Sequence, residues 1–412
     1  MRTNTQVAYW GAVALLVLVT ALYTRAAISG DWFRSGNDMQ FILEDLRARP
    51  ISDYWSGPWA GQKMFRYYRP VTSTVFAWEL AAFGTDARKW QTLGWLLHLA
   101  SIPLLAFVLL RLVGSRIGAL VGTTLWALRD RIVLTIEWVP AQTDLLAGFF
   151  ALLCLASFLH YQARGSRSAL ALTIATGLLS ALSKEIGFIL VGLLPLTVLF
   201  STQSYRSALR VFSVTLSVGL ALLAVRWFAL SGAGFLPGQP VGTGVAALPA
   251  VGSFLRHWLR FLLPGPIGPG AVPSVAAVWV FSLSLVAAFL VRRRPLLSVA
   301  TALGGLVAVA LLLGDAAWLL LGSTWAGLLS GAWCFLALVF ALLADRPRGW
   351  FVLLYGFAAA LPLYHVVYNP AGNVTYLPGT YHALLWGWIV ATAVSALSGT
   401  LRLSFPGTDA KS

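Results

Sequence analysis

The sequence predicts an all-α fold, a polytopic transmembrane helical bundle of about 11 to 13 spans, on three observations. Apolar stretches long enough to cross a ~30 Å hydrocarbon core recur throughout the 412 residues. The composition is 58% hydrophobic and only 10% charged, with a mean hydropathy of +0.79, against roughly 25% charged residues in soluble domains. Finally, basic residues concentrate in alternate short connections between the apolar stretches, as cytoplasmic loops require.

Taken in order, the spans are expected near 7–27, 92–113, 116–130, 143–162, 168–182, 186–201, 207–230, 273–291, 296–314, 326–344, 349–367 and 380–398. The first follows Arg2, and Arg25 stands where a cleavage site would be, so it reads as a retained anchor rather than a removed signal peptide. Arg111 with Arg116, Arg164 with Arg167, Arg206 with Arg210, the run Arg292 to Arg294, and Arg346 with Arg348 all fall on the side of Arg2. Arg402 and Lys411 join them, which puts both termini in the cytoplasm of a multi-pass protein of the cell membrane. The chain therefore reads as one transmembrane domain over 1–400, with outer loops at 28–91 and 231–272 and a cytoplasmic tail at 401–412.

A net charge of +15 would suggest nucleic acid in a soluble protein. Here the topology rule accounts for it, and no nucleic-acid partner is expected. Cys154 and Cys334 lie inside apolar segments and offer neither a disulfide framework nor a metal spacing. No P-loop, dinucleotide fingerprint or serine nucleophile elbow occurs. No segment outside the spans could build a soluble nucleotide-binding domain, which argues against a nucleotide-sugar donor.

Of the 14 Asp and Glu residues, only Asp345 and Asp409 fall on the cytoplasmic side. Carboxylates contribute little to topology, so this bias points to chemistry at the outer face. The first outer loop carries Asp31, Asp38, Glu44, Asp45, Asp53, Glu79 and Asp86, with Trp32, Trp55, Trp59, Trp78 and Trp90. Met39 to Arg47 and Val71 to Phe83 read as two amphipathic helices lying in the membrane interface and anchored by tryptophan. In the second outer loop Phe254 to Arg260 reads as a further helix.

Asp38 stands at the entrance to the first of these helices, where a carboxylate serves as a helix cap, a general base, or both. In Arg66-Tyr67-Tyr68-Arg69-Pro70, Pro70 starts a helix and presents Arg69 at its entrance, where anions gather. Arginine binds phosphate in a bidentate way, although Arg66 alone fits equally an arginine snorkelling to headgroups. Glu137, Gln142 and Asp144 follow the third span, and Lys184 with Glu185 follows the fifth. Lys184 suits a structural ion pair with Glu185 or Asp144 as well as a functional site. His98 suits a buried hydrogen bond near the outer end of its span, and Arg226 suits snorkelling.

Together these elements resemble the C-type (GT-C) polytopic glycosyltransferases, in the branch of the tetratricopeptide-containing protein O-mannosyltransferases and their bacterial relatives. That branch has, in order, an acidic residue after the first span, an arginine-proline helix entrance, and a span bearing His. A Trp-containing loop ending in Asp-Leu-Leu and a Ser-Lys-Glu follow. This chain has Asp38, Tyr68-Arg69-Pro70, His98, Trp138 with Gln142-Thr143-Asp144-Leu145-Leu146, and Ser183-Lys184-Glu185. The likeness covers about residues 30–200, and Tyr376-Leu377-Pro378-Gly379 resembles the late outer Tyr-Leu-Pro-Ser segment. The chain departs from the pattern with Gly379 for the serine and Asn373 where an arginine often stands. It also has Arg129-Asp130 for His-Pro, a lone Asp38 after Asn37, and no tetratricopeptide repeats after the last span.

The resemblance implies an inverting transfer from a polyprenyl-phosphate sugar at the outer membrane face to an unknown glycan, lipid or protein hydroxyl. Asp38 would be the catalytic base. Arg69, Arg66, Lys184 and Tyr68 would hold the lipid phosphate, with His98, Glu137, Gln142, Asp144, Glu185 and Tyr376 in support. No cofactor is identified, and the resemblance leaves a divalent metal open. Two other readings stand beside it: a secondary transporter or flippase for a lipid or glycan, and a non-catalytic relative acting as a scaffold.

Overall fold

The computed structural model describes residues 2–32, 36–59, 67–129, 131–202, 204–230, 346–360, 376–377 and 379–397. Its regular elements are all helical. They are α1 (Arg2–Thr24), α2 (Gly36–Ala48), α3 (Asp53–Ser56), α4 (Pro70–Phe83), α5 (Ala87–Val113), α6 (Arg116–Ala127) and α7 (Arg131–Glu137). There follow α8 (Gln142–Arg164), α9 (Arg167–Ser183), α10 (Leu190–Thr202), α11 (Tyr205–Ala229), α12 (Arg346–Ala360) and α13 (Thr380–Leu397). Among the described residues five helical stretches are long and apolar enough to cross a membrane: Thr5–Ala27, Ala87–Val113, Val139–Arg164, Glu185–Thr202 and Tyr205–Ala229. This is the pattern of a multi-pass membrane protein.

The expected span at 116–130 is interrupted. Helix α6 has 12 residues, about 18 Å at 1.5 Å per residue and too short to cross alone. The chain continues through α7 back to Gln91, which donates to the Glu137 carbonyl near the start of α5. At the break the carbonyl of Ala127, one of the acceptors left over at a helix end, takes a hydrogen bond from His98 Nε2 at 3.2 Å. The expected spans at 273–291, 296–314 and 326–344 lie outside the described residues, as do the second outer loop and its Phe254–Arg260 helix.

Sharp reversals join the helices. Gly114 and Gly165 end α5 and α8 in the left-handed conformation, with φ of 75° and 65°, which glycine adopts without a Cβ penalty. Ser115 and Ser166 then cap α6 and α9 by accepting from Gly118 and Ala169 backbone N–H groups. Beyond α9, Lys184 is extended and Glu185–Ile189 forms a 3-10 turn folded back on α9. Only glycine fits there, since a Cβ on Gly187 would lie 2.5 Å from the Ala181 nitrogen.

Helix α8 is the axis of the bundle, 78% buried over its apolar window against 11% for α11. Helices α6 and α13 approach each other through Gly118-Ala119-Leu120-Val121-Gly122, a small-xxx-small face that lets backbones meet closely in lipid. A Cβ on Gly118 would fall 2.2 Å from the Gly387 carbonyl oxygen, and one on Gly122 2.2 Å from that of Ala383. Gly118→Ala is therefore expected to cost about 1–3 kcal/mol, seen as a lower thermal midpoint in detergent. An unchanged midpoint would show that the two helices part freely.

The first loop folds onto one end of the bundle. In α2 Met39, Ile42 and Leu46 form a buried stripe at helical spacing. They join Tyr54, Trp59, Phe76, Trp90 and Val139 in a second hydrophobic core beside the main one. Helix α4 forms where expected, with a tryptophan on its open face and its charge turned inward. Its Trp78 is 65% exposed, while its only charged residue, Glu79, is buried. Buried Gln91 ties the loop to the bundle, accepting from Gly30 N–H at 2.8 Å and donating to the carbonyls of Asp31 and Glu137.

Candidate functional site

Several chain reversals meet at the end of the bundle where α1 finishes and α5 and α8 begin. Helix α4 enters there through Pro70, which fixes the first turn and leaves Arg69 in the cap position. The Thr72 hydroxyl donates to the Ser183 carbonyl at 2.9 Å, docking this entrance on the end of α9. The residues after α9 and the last turn of α11 complete the wall.

Arg69 is buried and engaged. Its Nε and Nη2 donate to Glu185 Oε2 at 3.0 and 2.7 Å. The other carboxylate oxygen accepts from Arg226 Nη1 at 2.9 Å. The guanidinium of Arg69 also lies over the rings of Tyr67 and Trp59, 4.0 and 4.7 Å from their centroids, cation–π contacts that fix its plane. Trp59 and Tyr67 are joined by a backbone hydrogen bond of 2.7 Å. Arg226 does not snorkel: its side chain is buried against Glu185.

Beside this trio Lys184 Nζ donates to Asp144 Oδ2 at 2.6 Å. Of the two partners the sequence offered Lys184, the structure selects Asp144. Glu185 instead serves the two arginines, because the extended Lys184 backbone sends successive side chains to opposite sides.

One helical turn further along α8 lies a second constellation. His98 Nε2 faces a carbonyl, which only accepts, so it carries the proton. Nδ1 is then the acceptor, and the Tyr376 hydroxyl donates to it at 3.0 Å. The backbone carbonyl of Tyr376 accepts from Trp126 Nε1 at 3.1 Å. The Tyr376 ring seats on Gly148, where a Cβ would come within 2.6 Å of it. The guanidinium of Arg129 lies 5.2 Å from that ring. The sequence expectation of a buried hydrogen bond for His98 is met, through a partner 278 residues away.

Other expected site residues are placed differently. Asp38 is exposed, in the first turn of α2 rather than at its cap, and among the described residues it makes no hydrogen bond or ion pair with the arginine cluster. Its carboxylate suits the positive end of the helix dipole. Desolvation on its protein-facing flank raises its pKa above the ordinary carboxylate value. The Tyr68 hydroxyl donates to the Trp55 carbonyl at 2.9 Å, which turns it toward α3 and away from Arg69. Glu137 is partly buried at the end of α7, and its backbone carbonyl accepts from Gln91. Arg66 lies outside the described residues. Among the described residues no three His, Cys, Asp or Glu side chains gather as a metal ion would need.

Gln142 has a partner that the sequence reading passed over. Its Nε2 donates to the Trp90 carbonyl at 2.7 Å and to Glu79 Oε1 at 3.2 Å. Among the described residues Glu79 Oε2 has no partner. Burial pushes the Glu79 carboxyl up to about 8, with the Gln142 hydrogen bond opposing. The folded protein therefore holds this proton more tightly than the unfolded chain. Stability from this group is full below about pH 4.5 and is lost as the pH rises towards 8, on the order of a few kcal/mol in all. Glu79→Gln is expected to flatten chemical-denaturation stability over that window. The same slope in the variant would contradict the assignment.

Sequence reasoning missed Glu79, Arg226 and the stacking rings of Trp59 and Tyr67. A signal existed for the first two: Glu79 is the one charge of an otherwise apolar helix, and Arg226 stands at the far end of α11 from its other charges, Arg206 and Arg210, positions that call for a partner. No protein-family model, curated protein or solved structure matches this chain.

Proposed function

We propose that this chain is a membrane glycosyltransferase of the C-type architecture. In this reading it spans the cell membrane about 11 to 13 times, with both termini in the cytoplasm. It moves a sugar from a polyprenyl-phosphate donor to an acceptor hydroxyl at the outer face, with inversion. One observation carries the reading. Residues that the resemblance marks as functional, separated widely in sequence, gather at one end of the bundle: Arg69, His98, Asp144, Lys184, Glu185 and Tyr376. Scattered ionisable residues with merely topological roles would have no reason to converge there.

In the proposed mechanism the Asp38 carboxylate takes the proton from the acceptor oxygen as that oxygen attacks the anomeric carbon. The bond from that carbon to the phosphate oxygen breaks, and the lipid phosphate leaves with the electron pair. Arg69 neutralises the charge that builds on the phosphate. The first loop folded over the bundle end supports a reaction at the membrane surface, where a lipid-linked donor presents its head group. Asp38 reaches the reacting centre in this scheme by movement of α2, which packs through Met39, Ile42 and Leu46 on the core of the first loop.

The reading is tested with purified protein in liposomes containing short-chain polyprenyl-phosphate hexoses or pentoses and an envelope extract as acceptor source. Release of free polyprenyl phosphate, coupled to sugar appearing on an acceptor, is the expected result. Movement of the intact donor between leaflets without consumption would establish the flippase reading instead.

A further inference from the structure

We propose that Arg69 and Arg226 form a two-armed clamp for a phosphate group, and that Glu185 is its resident counter-anion, displaced when the phosphate arrives. The inference rests on the phosphate-binding role given above to Arg69, and it adds Arg226 and an exchange step that the sequence did not suggest.

Glu185 bridges the arms as an oxyanion ligand would. One oxygen takes two N–H groups of Arg69, and the other takes Nη1 of Arg226. A phosphate offers more acceptor oxygens and more charge to the same forks, which favours it in a direct exchange. Arg69 is also held by the Tyr67 and Trp59 rings, and Arg226 is carried on the last turn of α11. Lys184, fastened to Asp144, keeps a third cation beside the vacated position.

Access favours the same exchange. Of the three bridged side chains Glu185 is the most exposed, at 11% against 7% for Arg69 and 4% for Arg226. It stands at the head of a 3-10 turn, after an extended residue, rather than inside a helix. Its carboxylate can swing to solvent with no helix broken. No bond forms or breaks in the exchange, and no proton moves.

The test uses full-length protein in nanodiscs, with inorganic phosphate and farnesyl phosphate as separate probes and farnesol as the uncharged control. Glu185→Gln removes the competitor, so its affinity for farnesyl phosphate is expected to rise about tenfold, while Arg226→Gln lowers it about tenfold. Inorganic phosphate follows the same order if the head group alone is read. A response confined to farnesyl phosphate assigns the site to a lipid. Unchanged or weaker binding by a folded Glu185→Gln protein overturns the clamp. Where that variant does not fold, Glu185→Asp is measured; its shorter arm releases one arginine, so binding must still tighten severalfold. Failure of both variants to fold also overturns the proposal, because it makes Glu185 a fixed structural pin. Failure of the parent reading looks different, with neither the wild type nor any variant binding either phosphate probe.

Discussion

Asp38→Asn is expected to reduce sugar transfer by about 10²–10⁴-fold, with the folded yield unchanged and the thermal midpoint nearly so. The two halves of this expectation come from different facts. Asp38 is exposed and makes no hydrogen bond or ion pair among the described residues, so the isosteric amide removes no contact that holds the fold together, only a small helix-dipole term. The amide cannot accept the hydroxyl proton, so general-base assistance disappears while the phosphate site stays whole. Donor binding by the variant should therefore match the wild type, and the loss should appear in turnover. Because partial desolvation raises the Asp38 pKa, the wild-type rate should fall on acidification at a higher pH than an ordinary carboxylate would dictate. Full activity in the Asn variant would remove Asp38 from the chemistry.

The second large effect is on stability. Asp144→Leu is expected to destabilise the protein by about 3–5 kcal/mol, because it leaves the Lys184 ammonium enclosed without its carboxylate. The pair is nearly out of reach of solvent, with Asp144 1% exposed and Lys184 13%. Combining Asp144→Leu with Lys184→Met should recover most of the loss, since removing both charges also removes the demand for a partner. A double variant no better than the single would show that Asp144 serves the fold through something other than Lys184. The two variants are compared by thermal and chaotrope denaturation in one detergent, where the membrane contribution is held constant.

Much of the architecture was legible because lipid imposes strict rules. Apolar length fixed α1, α5, α8 and α11 closely, and the break at Ser183-Lys184-Glu185 falls where α9 ends and the chain turns back. The break after Ala127 in the span expected at 116–130 was not legible, because composition counts apolar residues and does not see the His98 hydrogen bond to the Ala127 carbonyl. Likewise Val71 to Phe83 was legible as a helix. Which face it buries was not, because Gln142, the partner of buried Glu79, comes from a distant helix. The α6–α13 contact was written plainly in Gly118 and Gly122, a spacing that hydropathy does not register.

The site was legible as a set of residues and much less so as a set of bonds. Sequence order identified Arg69, Asp144, Lys184 and Glu185, yet a carboxylate next to a lysine in sequence gives no sign that it serves two distant arginines. Arg226 was set aside as a snorkelling side chain because its partner comes from another helix. The His98–Tyr376 hydrogen bond spans most of the chain, and local spacing carries no information about it. Tyr68 went astray for the opposite reason: next to Arg69 in sequence, it points to the Trp55 carbonyl.

The central claim is that this bundle end holds a polyprenyl-phosphate sugar, and native mass spectrometry of the protein extracted from its own membrane tests it most directly. The wild type is expected to carry an adduct with the mass of a polyprenyl phosphate bearing one sugar, and Arg69→Gln is expected to lose it. Adducts of bulk phospholipid alone, or an unchanged spectrum for Arg69→Gln, would contradict the account.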